Sequence, residues 1–342
     1  MNILLTSAGR RSYMVKYFKS ALSGKGKLHV CNNCSSVAMV HADKFVLSPD
    51  IYSKNYINFL LEYCQKNDIR LIVPLFDIDL PVLSAHKNKF LRKGINILVS
   101  DVDTVRICND KYQTYHFLRN HKIATPETCL SIAHAENLLK ENKLHFPLIL
   151  KPRWGMGSMF VYQAETSQEL NVLYNKVKRD IFNTYLKFES VSDVKNCVII
   201  QEKICGQEYG LDIINDLRGK FITTVPKIKL SMRAGETDTA KVIKHSGLAS
   251  LGKKLSTLLG HIGNLDVDCF INNGKKYILE MNCRFGGQYP FSHLSGVNLP
   301  LQVLIWLEGG TTDMKLFSFA KDIVLAKDIS LTNMNIRLPG EE

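Results

Sequence analysis

The stretch Glu280-Met281-Asn282-Cys283-Arg284-Phe285-Gly286-Gly287 decides how this chain is read. In an extended strand alternate residues share a face, so Glu280, Asn282 and Arg284 project together while Met281 and Cys283 turn towards the core. A carboxylate, an amide oxygen and a guanidinium then converge. Magnesium takes one or two protein carboxylates plus phosphate oxygens, and arginine offers a fork for the remaining phosphate charge. The segment therefore predicts an oxygen-ligand metal site with an anion clamp.

Immediately upstream, residues 265–271 and 276–281 read as two strands flanking Asn272-Asn273-Gly274. Hydrophobic parity selects a register in which Asp268 lies opposite Glu280 and paired indices sum to 548. An odd sum would carry Glu280 and Asn282 to the apolar side. A strict two-residue turn at Asn273-Gly274 gives an odd sum, so the turn is expected to be longer or bulged. The chosen register sets two carboxylates face to face, which is unfavourable unless a cation lies between them.

Further out, the chain begins as alternating strands and helices. Residues 3–6 form an apolar run, the loop Ser7-Ala8-Gly9-Arg10-Arg11 follows, and Met14, Phe18, Ala21 and Leu22 recur at helical spacing. Residues 28–31 and 69–73 repeat the strand pattern around a helix striped by Ile57, Leu60, Leu61 and Cys64. This alternation predicts a doubly wound parallel sheet, with ligands at the carboxyl ends of its strands. Those ends carry Gly9-Arg10-Arg11 and Asp77-Ile78-Asp79; with one glycine in the loop, a dinucleotide fingerprint is unsupported.

A second unit follows: a helix over 105–119, a connector at 123–126, a strand over 148–151, the glycine-bearing turn Trp154-Gly155-Met156-Gly157-Ser158, a strand over 159–163 and a capping box Thr166-x-x-Glu169. Strands over 198–201, 209–214 and 221–225 and a helix over 248–259 complete the pattern. The run Gly247-x4-Gly252-Lys253 copies a P-loop start, but Lys254 stands where Ser or Thr would hold magnesium. Lys151 at a strand end beside the 154–158 turn offers a cation and free backbone N–H groups to phosphate. Gln201-Glu202-Lys203-Ile204 and Gly206-Gln207-Glu208 place polar groups where a purine edge and ribose hydroxyls could be read.

Composition bounds the function. The 342 residues carry 44 Lys+Arg against 32 Asp+Glu, a net charge of +12, without a run of five cations, which suits an anionic small ligand better than nucleic acid. No apolar run approaches 18 residues, which argues against a membrane span and for a cytoplasmic protein. Nine scattered cysteines are expected as reduced thiols, and Cys31-x-x-Cys34 lacks the second pair a zinc site needs.

In this order the motifs resemble the ATP-grasp superfamily, and within it the short proteins similar to one ATP-grasp unit of the carbamoyl-phosphate synthase large subunit. The N-terminal segments Thr6 to Arg11 and Pro74 to Pro81 look like the pre-ATP-grasp domain; Leu150-Lys151-Pro152, Gln201-Glu202-Lys203 and Glu280 to Gly287 look like the nucleotide and magnesium motifs. The resemblance implies an α/β and α+β chain: a pre-ATP-grasp domain over 1–105, a small subdomain with its lead-in helix over 106–197 and a C-terminal subdomain over 198–342. It implies that Lys111 and Lys151 bind ATP phosphates under a flap containing Gly155, Gly157 and Ser158. Glu202, Lys203 and Ile204 would meet adenine, Glu208 the ribose, and Asp268, Glu280 and Asn282 one or two Mg²⁺ ions, with Mn²⁺ as an alternative. Arg284 would stabilise the transferring phosphoryl group. Cys283 departs from the proline common at its position.

The activity implied is ADP-forming carboxylate–amine ligation through an acyl phosphate, on small-molecule substrates, with a homodimer left open. Arg10, Asp77, Asp79 and Arg233 are candidate substrate contacts, the last within the block 227–241, where a mobile charged loop is an equal reading. A carbamoyl-phosphate-type or carboxylating enzyme and a non-catalytic nucleotide-binding regulator remain alternatives.

Overall fold

The computed structural model describes residues 1–335. Five parallel strands open the chain: β1 (Asn2–Thr6), β2 (Leu28–Asn32), β3 (Lys44–Leu47), β4 (Ile69–Pro74) and β5 (Asn96–Ile97), in the order β3-β2-β1-β4-β5. Every residue of β2, and all but the first of β1, is buried, as a parallel sheet covered on both faces requires. The helix Ser12–Leu22 lays Met14, Val15, Phe18 and Leu22 against it.

A four-stranded antiparallel sheet follows, made of β6 (Thr128–Cys129), β7 (Leu148–Pro152), β8 (Tyr162–Ala164) and β9 (Val198–Glu202) in the order β6-β9-β7-β8. A six-stranded antiparallel sheet holds β10 (Gln207–Asn215), β11 (Phe221–Arg233), β12 (Glu236–Val242), β13 (Gly263–Asn272), β14 (Lys275–Asn282) and β15 (Ile323–Ala326), ordered β14-β13-β10-β11-β12-β15. The first and third sheets share hydrophobic clusters, for example Leu4 and Leu60 with Leu265 and Met281. The small sheet packs its own core of Leu148, Leu150, Leu170, Val177 and Ile200. The site is built where the three meet.

Several sequence expectations are corrected. The helix expected over 105–119 is two helices, Val102–Asn109 and Lys111–Asn120, parted by Asp110, whose carboxylate caps Tyr112 and Gln113 N–H groups. The strand expected from Met159 starts only at Tyr162, because Gly157, Ser158 and Phe160 have positive φ and hold a turn. The block 227–241 is not a loop: it is the end of the 13-residue β11 and most of β12. The P-loop look-alike lies inside the helix Ser246–Leu259, where Gly252 packs on Thr224.

The β13–β14 register carries both signals. Near the turn, Asn272 pairs with Lys275 across a two-residue Asn273-Gly274 turn, both with positive φ. Between Cys269↔Ile278 and Asp268↔Glu280 a bulge inserts Leu279, so the even register holds at the site, with Val267 facing Met281 and Asp266 facing Asn282. The irregularity lies in the strand, not the turn. Its effect is to bury Ile278 and turn Leu279 to the cleft with Glu280.

Candidate functional site

A cavity of about 620 Å³ lies between the small sheet and the six-stranded sheet. Lys151, at the end of β7, and Lys111, at the start of its helix, line it together with Glu202, Glu208 and Glu280. The Arg153–Asp110 pair explains why Lys111 sits there. Arg153 donates to both Asp110 oxygens at 2.8 and 2.7 Å, and its carbonyl accepts the Lys111 N–H. A bidentate pair of this kind fixes geometry as well as charge. Lys203, Ile204, Gly155, Gly157 and Ser158 also line the cavity. The flap is down: a Cβ on Gly235, at the tip of the β11–β12 hairpin, would meet Gly157 O at 2.7 Å.

Charge is alternated across this floor. Burial pushes the Lys151 ammonium down to about 8, with Glu280 opposing and Lys111 reinforcing the shift. Burial would raise the Glu280 carboxyl, but Lys111 and Lys151 outweigh it and hold the group down to about 2. Lys111 Nζ lies 3.7 Å from Glu280 and also donates to Gly155 O. Asp268 is pushed up to about 7, mainly by burial and against the pull of Lys229.

Beyond Glu280 a second cavity of about 250 Å³ holds the anion clamp. Arg284, 8 % exposed, donates to Asp77 at 3.0 Å and to Asp266 at 2.8 Å, and Gln288 donates to Asp266 from the other side. The Gly286 that follows is demanded by closeness: a Cβ there would sit 2.0 Å from Asp266. The structure thus brings together Lys111, Lys151, Glu202, Glu208, Asp268, Glu280, Asn282, Arg284 and Asp77.

It does not bring in three sequence candidates at this centre. Asp79 is fully buried, accepting from Thr6 Oγ1 at 2.8 Å and Tyr56 Oη at 2.9 Å, so it braces the first sheet and meets no ligand. Arg233 is drawn to the surface by Asp238 and the Lys327 carbonyl. Arg10 lies off this centre, on an adjoining cavity at the ends of the parallel strands, and its neighbour Arg11 reaches the clamp. Residues overlooked in the sequence are Asp110, Arg153, Asp266 and Gln288; Asp266, two positions before Asp268 on the same face, carried a readable period-two signal.

The donor set fits a divalent cation that shares its shell with phosphate. No group of three His, Cys, Asp or Glu side chains that could enclose a metal occurs among the described residues. Asp268, Glu280 and Asn282 supply two carboxylates and an amide, suited to Mg²⁺ completed by phosphate oxygens. The facing carboxylates are each countered by a lysine, Lys229 at 2.7 Å from Asp268 and Lys111 beside Glu280, so repulsion between them is already offset without a metal.

The family comparison agrees with this architecture. Residues 108–288 match the ATP-grasp domain model and residues 3–98 the PylC-like N-terminal domain model. The chain belongs to the ATP-grasp family. It is 24 % identical over 220 residues to the carbamoyl phosphate synthase large chain of Clostridium perfringens, covering 61 % of this chain and 19 % of that one. It is 27 % identical over 135 residues to the alpha-aminoadipate–LysW ligase LysX of Saccharolobus solfataricus, covering 39 % of this chain and 47 % of that one. The chain therefore spans about a fifth of the synthase and about half of the ligase. Among solved structures, an L-amino acid ligase from Bacillus licheniformis superposes with a TM-score of 0.73 at 16 % identity, covering 94 % of this chain and 79 % of that one. Biotin carboxylase from Campylobacter jejuni gives 0.72 at 15 % identity over 94 % and 74 %. At these identities the structural likeness speaks for the fold alone.

Proposed function

We propose that this chain is an ADP-forming carboxylate–amine ligase that works through an acyl phosphate, organised as the units 1–105, 106–197 and 198–342, with residues 336–342 outside the described part. Lys111 and Lys151 hold the nucleotide phosphates beneath Gly155, Gly157 and Ser158. Glu202, Lys203 and Ile204 meet the base and Glu208 the ribose. Asp268, Glu280 and Asn282 hold Mg²⁺, which supplies charge neutralisation for the phosphates when bound.

The observation that carries this reading is the position of Arg284. It stands between the Asp77 and Asp266 carboxylates, in a small cavity opening on one side to the lysine-lined cavity and on the other to the ends of the parallel strands. A guanidinium there binds an incoming carboxylate and stabilises charge on the transferring phosphoryl group. The substrate carboxylate oxygen attacks the γ-phosphorus as the bond to ADP breaks; an amine then attacks the acyl carbon and phosphate leaves. No covalent enzyme nucleophile is required, because positioning and electrostatics supply the rate. The test is ADP release over a grid of carboxylic acids crossed with amino acids; release demanding one member of each set supports ligation, and release with bicarbonate alone favours the carboxylating alternative.

A further inference from the structure

The carboxyl ends of the first sheet open into the largest of the cavities described here, about 920 Å³, which the phosphate and metal residues do not use. Arg11, Phe76, Tyr185 and Glu236 line both this cavity and the Arg284 cavity, so the two are continuous. The sheet order turns the wall into a ruler. Asp77, which holds Arg284, follows β4; the loop with Arg11 follows β1; Asn32 ends β2; Asp50 follows β3. Two strand spacings of about 4.8 Å place Asn32 on the order of 10 Å from the strand that leads into Asp77, and Asp50 stands one strand further.

The chemistry changes along that length. Arg11 offers a cation at the near end. The wall also carries apolar surface: Tyr52 and Phe188 stack with centroids 4.7 Å apart at 25°, and Ile51 and Ile78 line the same cavity. At the end of β2 Asn32, 6 % exposed, donates its amide N–H to Ser36 at 2.5 Å, while its Oδ1 is buried with no hydrogen-bond partner among the described residues. A buried acceptor without a donor costs free energy until something supplies one.

Resting on the ligase reading, we propose that this cavity selects the acid substrate: an elongated carboxylic acid with an aromatic or long apolar body and a hydroxyl or ammonium donor at its far end. The carboxylate lies at Arg11 and Arg284, the body against Tyr52 and Phe188, and the donor on Asn32 Oδ1. A short acid fills only the near end.

The test uses three compounds with the same glycyl or glycine carboxylate: tyrosylglycine, phenylalanylglycine and glycine. Binding is measured by calorimetry with the full chain, Mg²⁺ and a non-hydrolysable ATP analogue present. Both dipeptides should bind at least roughly tenfold more tightly than glycine through aromatic burial, and tyrosylglycine several-fold more tightly than phenylalanylglycine through the donor. Asn32→Leu should erase the preference between the dipeptides, and Phe188→Ala, at an exposed position, should narrow their advantage over glycine. Equal affinities for all three, no dipeptide binding while the nucleotide analogue binds, or unchanged preferences in both variants would overturn the assignment. Hydroxamate formation separates the two ideas: equal KM for glycine and dipeptides removes the cavity assignment and keeps the ligase, whereas selective binding without any hydroxamate does the reverse.

Discussion

Lys229 Nζ lies 2.7 Å from Asp268 Oδ1, on the face where Asp268 meets Glu280 across the β13–β14 pair. The same ammonium is 2.7 Å from Glu208 Oε1, so one buried lysine ties the carboxylate assigned to the ribose to one assigned to the metal. It occupies the charge role a divalent cation would take. Lys229→Met should therefore enlarge the rise in Tm produced by Mg²⁺ alone, reversed by chelator, because the ion no longer competes with the lysine for Asp268. Equal Mg²⁺ shifts in variant and parent would remove Asp268 from the metal site.

If Lys151 holds the nucleotide phosphates as proposed, Lys151→Ala removes a buried charge-assisted contact worth on the order of 1.5 to 3 kcal/mol. ATP affinity should fall roughly tenfold or more. Calorimetric titration of the folded variant checks it, and an unchanged affinity would move the phosphates away from β7.

Glu189 gives a pH signature outside the metal residues. Asn109 donates to its Oε1 at 2.5 Å, its Oε2 has no partner among the described residues, and burial pushes the carboxyl up to about 7. Its folded value lies above the unfolded one, so the native state binds more protons between them and stability falls as pH rises from about 4.5 to 7. Glu189→Gln keeps the Asn109 contact and removes the titration. In urea unfolding the variant should gain on the parent across that window; a constant gap would contradict it.

Much of this site could be read locally and some of it could not. Glu280, Asn282 and Arg284 declare themselves because a strand's period of two puts them on one face, and Lys151 because it ends an apolar run. The partners that set their geometry are remote in sequence: Asp110 is 43 residues from Arg153, and Asp77 is 207 from Arg284. The end of β11 reads as a solvated loop because its lysines look exposed. Instead Lys227 is fully buried at 2.6 Å from Asp212, and Lys229 is held by Glu208 and Asp268, pairings created only when β10, β11 and β13 assemble. The longer or bulged turn expected at Asn273-Gly274 is instead a two-residue turn, and the extra residue sits in the strand at Leu279, since only tertiary burial of Ile278 reveals where the register shifts.

The most direct test of the account is hydroxylamine trapping. With the full chain, ATP, Mg²⁺ and a carboxylic acid accepted by the cleft, hydroxylamine should intercept the acyl phosphate, giving hydroxamate in step with ADP, and neither product should form without the acid. Rapid ADP release by the folded protein that no acid alters, with no hydroxamate, would contradict the claim that this site activates a carboxylate.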